Sequence, residues 1–209
     1  MESATEPKRP RLGAVPGDAT VVMGIVNVTP DSFYDGGRLT SPEAAVRHAE
    51  RLVRDGADLL DVGGESTRPG AEPVSPAEEQ RRLLAALEGL CALRVPVSVD
   101  TYHAETARRA LDLGAAVIND ITALRGGPAM AEVVAEAGCR CILMHVQGTP
   151  KTMQDHPHYD DVVDEVGRFF EERIEFAVRR GIREDALWLD PGIGFGKADS
   201  HNLILLKRL

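Results

Sequence analysis

Six short apolar runs alternate along this chain with longer segments of helical period, and five of the six deliver a polar side chain at or near their ends. The runs are Val21–Val28, Leu59–Val62, Val95–Val99, Ala116–Ile121, Cys141–Val146 and Leu187–Leu189; the polar residues are Asn27, Asp61, Asp100, Asn119-Asp120 and Asp190. Strands alternating with helices specify a parallel sheet covered by helices. In a (β/α)8 TIM barrel the C-terminal strand ends converge on one rim, where the active site lies. A doubly wound sheet would gather its ligand residues at one switch point, usually behind a glycine-rich first loop. The first loop here reads Thr29-Pro30-Asp31-Ser32-Phe33, and polar residues spread over nearly every strand end favour the barrel.

Helix boundaries are readable between the runs. Ser41-Pro42 supplies an N-cap and an N1 proline, Ala45, Ala49, Leu52 and Val53 recur on one face, and Gly56 closes the segment. Ser75-Pro76-Ala77-Glu78 has the capping-box pattern and opens a helix through about Leu93. Further helices are expected over Ala104–Leu113, Ala129–Ala137 and Tyr159–Arg180, each followed by a glycine.

Six units are found where a closed barrel needs eight, and Leu209 falls inside what reads as a sixth helix. The expectation is a truncated or partial chain lacking about 60 residues of a typical barrel of about 250, or a sheet completed by dimerisation. Open parallel edges would otherwise stay unpaired.

A chain of 209 residues, 43% hydrophobic, has enough material for one sizeable core. Its formal net charge of -9 argues against a general affinity for nucleic acid or anionic membrane surfaces. No apolar stretch approaches the roughly 18 residues of a membrane span, and no secretory signal precedes the fold. Cys91, Cys139 and Cys141 are too few for a disulfide framework and read as small buried thiols in a reducing, cytoplasmic setting. Residues 1–19, rich in Pro, Ala, Gly and charge, are expected to form a disordered tail, leaving 20–209 as the domain. His145 reads as packed or hydrogen-bonded, and His156 and His158 as solvated.

An amide such as Asn27 is costly to place near the end of a buried strand unless it is used. Asp and Asn side chains on one rim accept hydrogen bonds, and an amide also donates. They suit a flat heterocycle bearing N–H donors. Thr67 and Arg68, in the loop Asp61–Ala71, could hold an anionic appendage, and the Asn27 carbonyl oxygen could face a hard cation such as Mg2+. Because side chains alternate, one of Asn119 and Asp120 faces the barrel interior and the other braces a loop.

The stretches MGIVNVTPDSFYDGG, DVGGESTRPGA, SVDT, IND, LMHVQGTP and LDPGIGFGK, in this order over about residues 22–209, resemble the dihydropteroate synthase family of folate biosynthesis, the sulfonamide target. The resemblance implies a (β/α)8 barrel, usually homodimeric. Such an enzyme joins 6-hydroxymethyl-7,8-dihydropterin diphosphate to 4-aminobenzoate and releases pyrophosphate with Mg2+ present. It implies that Asp100, Asn119 and Asp190 hold the pterin and that Met144 packs against it. Asn27 would ligate the Mg2+–pyrophosphate. Thr67 and Arg68 would lie near the diphosphate and aminobenzoate, Phe33 and Asp35 would close over the site, and Phe195 would line the aminobenzoate pocket. Pyrophosphate would leave first, giving a pterin-stabilised cation that the arylamine attacks, so no protein nucleophile is needed. The family's Ser-Arg-Lys stretch after strand seven and Arg-x-His stretch after strand eight do not occur, and residues 1–209 alone are expected to turn over negligibly. The alternatives are a methyltetrahydrofolate-dependent methyltransferase on the same barrel and a non-catalytic pterin-binding paralogue.

Overall fold

Every strand of the sheet pairs in parallel with the one before it in sequence, giving the order β1-β2-β3-β4-β5-β6. The computed structural model describes residues 20–28, 41–65, 74–148 and 152–208. Its strands are β1 (Met23–Asn27), β2 (Leu59–Gly63), β3 (Val97–Asp100), β4 (Val117–Asp120), β5 (Arg140–Met144) and β6 (Leu187–Asp190). Between and after them lie α1 (Pro42–Arg54), α2 (Pro76–Cys91), α3 (Ala104–Asp112), α4 (Pro128–Ala137), α5 (Val162–Arg179) and α6 (Asp199–Arg208). A doubly wound sheet would reverse direction at a switch point; this order never reverses and is the winding of a barrel. The expected tail over residues 1–19 lies outside the described residues.

Alternation along the strands divides the apolar residues into two layers. Val26, Leu60, Val62, Val99, Ile118 and Leu143 face outward into one core with Ala45, Ala49, Leu83, Leu87, Ala107 and Val134 of the helices. The opposite face packs Leu59, Val117 and Ile142 against the half-buried Trp188, a small inner layer at the bottom of the sheet. Burying one such leucine or isoleucine is worth about 1.5–3 kcal/mol, so the outer core dominates the stability.

The helix starts follow the expected chemistry with two differences. Ser41 Oγ accepts from the Ala44 N–H at 3.2 Å, and Ser75 Oγ from the Glu78 N–H at 3.3 Å. Glu78 does not complete a reciprocal capping box, because its carboxylate is engaged by Arg81 and Arg82, each at 2.6 Å. The fifth helix starts at Val162 rather than near Tyr159, because Asp161 accepts from Val163 and Asp164 N–H and fixes the cap there. Tyr159 is instead buried in the loop, its hydroxyl donating to the Gly196 carbonyl at 2.8 Å.

The two ends of the sheet carry exposed apolar side chains. Ile25 of β1 is 59% exposed and Leu189 of β6 46% exposed. On α6, Leu205 is buried against α5 residues, while Leu203, Ile204 and Leu206 are exposed. Among the described residues neither β1 nor β6 has a strand on its outer edge. No described helix is long and apolar enough to cross a membrane.

Candidate functional site

The register of the sheet sets four site positions side by side. Asn27 pairs with Gly63, Gly63 with Asp100, and Asp100 with Asn119. All four lie on the inner face, because that face also carries Leu59, four positions below Gly63, and Val117, two below Asn119. Gly63 leaves a gap in the row. A Cβ there would lie 3.5 Å from Asp100 Oδ2 and 3.6 Å from Asn27 Oδ1, so both side chains flank the same opening. Met144 and Asp190 pair at the ends of β5 and β6 and extend the rim.

Each expected pterin-site residue falls on this rim. Asn119 is buried, and its Nδ2 donates to Asp61 Oδ2 at 3.1 Å. Asp120 turns the other way, as alternation requires. Its carboxylate accepts from the Thr122 N–H and hydroxyl and from the Leu124 N–H at 2.7–3.0 Å. It thereby holds Ala123 and Leu124 at positive φ, a backbone shape otherwise costly for them. Asp190 Oδ1 accepts from the Gly192 N–H at 2.8 Å and closes the Asp190-Pro191-Gly192 turn. Met144 is buried with Ile121, Val146 and Met153, and Phe195 packs at the edge of that cluster. Phe33, Asp35, Thr67 and Arg68 lie outside the described residues.

The electrostatics of the rim are dominated by crowded acids. Burial pushes the Asp100 carboxyl well above the usual range, and the nearby charges of Asp61, Glu79, Asp120 and Glu65 push the same way. Asp61 is raised by burial and by Asp190. The Asn119 amide and the neighbouring Ser98 hydroxyl temper that rise, although Ser98 Oγ closes no hydrogen bond of ordinary geometry. Among the described residues, three buried atoms, Asp61 Oδ1, Ser98 Oγ and Asn119 Oδ1, have no protein partner. Unpaired buried polar atoms are rare and costly, about 1–3 kcal/mol each, and such a group calls for a ligand.

Three features escaped the sequence. Tyr102 donates its hydroxyl to both Glu65 oxygens at 2.9 and 3.0 Å, tethering the start of the second loop to the end of β3. Glu79, itself buried, receives the Thr106 hydroxyl at 2.6 Å and contacts His103 Nδ1 at 3.0 Å, behind the same loop. Lys197 is 3% exposed. Its Nζ donates to His145 Nδ1 at 2.9 Å and to the Phe195 and His145 carbonyls at 3.0 and 3.3 Å. Burial lowers Lys197 to about 8 and, with the Lys197 charge, His145 to about 4. The imidazole is therefore neutral and accepts at Nδ1. The lysine was visible within LDPGIGFGK, but only the fold buries it against His145, 52 residues away. His145 is packed and hydrogen-bonded as expected, with Phe169 edge-on at 4.8 Å; His156 and His158 are exposed. Cys139 and Cys141 are buried and Cys91 half-buried, all as thiols outside any disulfide.

Comparison with known proteins agrees with this geometry. Residues 23–209 match the pattern of the pterin binding enzyme family. The chain belongs to that family. It is 51% identical over 189 residues to the dihydropteroate synthase of Escherichia coli (strain K12), covering 90% of this chain and 67% of that one. It is 43% identical over 194 residues to the dihydropteroate synthase of Synechocystis sp., covering 92% and 67%. The Yersinia pestis dihydropteroate synthase in a sulfonamide drug complex superimposes with a TM-score of 0.86 at 47% identity, over 90% of this chain and 68% of that one. The Xanthomonas albilineans dihydropteroate synthase with 4-aminobenzoic acid gives 0.82 at 51% identity, over 91% and 67%. This family member thus spans about two thirds of the length of these relatives, and its six strands take the barrel arrangement.

Proposed function

We propose that this chain carries the pterin-binding part of a dihydropteroate synthase, the activity for which its relatives are named. It would bind 6-hydroxymethyl-7,8-dihydropterin diphosphate for condensation with 4-aminobenzoate to 7,8-dihydropteroate and pyrophosphate. The observation that carries the reading is the in-register row Asn27–Gly63–Asp100–Asn119, with Asp190 on the same rim. Carboxylates and an amide oxygen around one opening accept from the N–H groups of a pterin edge, and Met144 and Phe195 offer apolar surface for the ring face. Among the described residues, no pair of groups resembling an activated nucleophile faces this opening. Positioning and electrostatics then supply the catalysis.

Mg2+ fits the rim in a limited way. Asn27 is half-buried with its Oδ1 toward the opening. No group of three acidic, histidine or cysteine residues among the described residues would hold a metal. That donor set suits Mg2+ held by one protein oxygen together with water and substrate phosphates. When bound, the ion would neutralise charge on the departing diphosphate. The assembly proposed is a cytoplasmic homodimer, which sedimentation of the purified protein would check.

The test is calorimetric titration with the dihydropterin diphosphate and Mg2+, followed by assay of dihydropteroate and pyrophosphate after 4-aminobenzoate is added. Residues 1–209 are expected to bind the pterin, and to turn over negligibly until the Ser-Arg-Lys and Arg-x-His stretches of the family are supplied. Absence of pterin binding would overturn the reading. Robust turnover by residues 1–209 would show those stretches dispensable. An extended protein that binds pterin yet forms no product would favour the non-catalytic paralogue; the synthase names of its relatives weigh against a methyltransferase.

A further inference from the structure

Among the described residues, Asp61 is the one acid of the inner face that lies below the rim. Its register partner is Ser98, two positions before Asp100, whereas Gly63 of the same strand pairs with Asp100 itself. It is 7% exposed and touches the rim through a single hydrogen bond, from Asn119 Nδ2 to Oδ2 at 3.1 Å. An amide can be turned end for end at almost no cost in shape, so something must decide which of its atoms a ligand meets. Here the decision is chemical. An ionised carboxylate has only acceptors, and reversing the amide would set Asn119 Oδ1 against Asp61 Oδ2, two acceptors at hydrogen-bond distance. With Nδ2 committed downward, Asn119 Oδ1 remains as a buried acceptor without a protein partner.

We propose that Asp61 is a positioning residue that fixes the Asn119 amide so that its oxygen is presented to the bound heterocycle, making the site selective for rings that offer an N–H donor at that point. Asp61 itself does not touch the ligand. The open atoms beside it agree with this role, since Asp61 Oδ1 and Ser98 Oγ are also unpaired. In register, the row beneath the rim runs Ile25, Asp61, Ser98 and Val117, so its two central members are polar. An apolar residue at position 61 would take from the buried Asn119 Nδ2 its acceptor and leave the amide free to turn.

The inference rests on the pterin reading, and one set of titrations separates the two. The probe is 6-hydroxymethyl-7,8-dihydropterin, titrated into the wild-type chain and into Asp61→Asn, Asn119→Asp and the exchange variant that combines both substitutions. Asp61→Asn is isosteric and removes a buried charge, so its melting temperature is expected at or above that of wild type. Its pterin affinity is expected to fall roughly 10-fold, because the amide now at position 61 offers a donor as readily as an acceptor, so Asn119 loses its charge-assisted bond and is no longer held one way round. Asn119→Asp alone sets two carboxylates against each other and is expected to bind at least as weakly. The exchange variant restores the arrangement: the amide now at position 61 donates, and the carboxylate now at position 119 presents its second oxygen to the ring. Its affinity is expected to return to within about threefold of wild type. A purely structural role would give neither loss of affinity at full stability nor recovery on exchange. Binding by Asp61→Asn within about threefold of wild type would overturn the proposal, as would a folded exchange variant no better than Asp61→Asn. If the exchange variant does not fold, Asp61→Asn decides alone. Absence of binding by wild type would instead sink the pterin reading.

Discussion

At the scale of single residues the rim is unfavourable to its own fold. Asp100 sits among four other acids and is raised well above the usual carboxylate range, first by burial. A carboxyl whose folded value exceeds its unfolded value weakens the fold as pH rises from the ordinary carboxylate range through the raised value, and the loss is recovered on acidification. Asp100→Asn is therefore expected to raise the melting temperature of the unliganded chain at pH 7 by a few degrees, corresponding to about 1–2 kcal/mol. The same change should flatten the acid side of its stability profile and abolish measurable pterin binding. Differential scanning fluorimetry from pH 4 to 8 with a parallel titration checks both. An unchanged melting temperature would mean that the acids are relieved by groups other than a ligand. The acids at strand ends were legible in sequence because each follows an apolar run. Which of Asn119 and Asp120 turns inward was not, and neither was the role of Asp61, because both depend on register with neighbouring strands.

At the scale of elements, the loop after β6 is pressed against the end of β5. Gly192 and Gly196 have positive φ, and a Cβ on Gly192 would lie 2.0 Å from the His145 carbonyl oxygen. Gly192→Ala is expected to cost about 3 kcal/mol or more, because strain and overlap with backbone coincide. A denaturant titration would show this as a lowered midpoint, and a cost below about 1 kcal/mol would mean that the loop shifts freely. Lys197 and His145 fasten the same junction. His145 is lowered from 6.5 to about 4, so its contribution to stability is fully present above pH 6.5 and is lost as pH falls toward 4. His145→Asn keeps an acceptor without the titration, so the difference in unfolding free energy between wild type and variant should change between pH 6.5 and 4 and be flat above. A flat difference throughout would show that the histidine titrates in the folded chain as it does in the unfolded one. The glycines signalled this turn in sequence. The clamp was hidden, because a lysine after a glycine-rich loop reads as solvated until the fold buries it.

At the scale of the whole molecule, the sheet presents apolar side chains at both ends. Leu203, Ile204 and Leu206 on α6 are 45–68% exposed, and Ile25 of β1 is 59% exposed. Contiguous exposed apolar surface promotes association. Leu203→Glu with Leu206→Glu is expected to lower light scattering at high protein concentration while leaving the melting temperature within about 2 °C, since neither residue is buried. Scattering unchanged by the pair would shift attention to the β1 edge. The winding of six βα units was legible from the alternation of short apolar runs and amphipathic segments. Boundaries moved by a few residues where caps such as Asp161 competed with apolar periodicity.

The order of the strands also bears on how the protein is made. Because each strand pairs with the one preceding it in sequence, every unit leaving a ribosome meets a partner already synthesised. No segment must wait for a distant one to begin its ladder. The proposed pterin site accumulates in the same direction, from Asn27 through Gly63, Asp100 and Asn119 to Asp190. Its last carboxylate arrives only with the sixth strand, so a nascent chain can assemble most of its core before it is competent to hold a pterin.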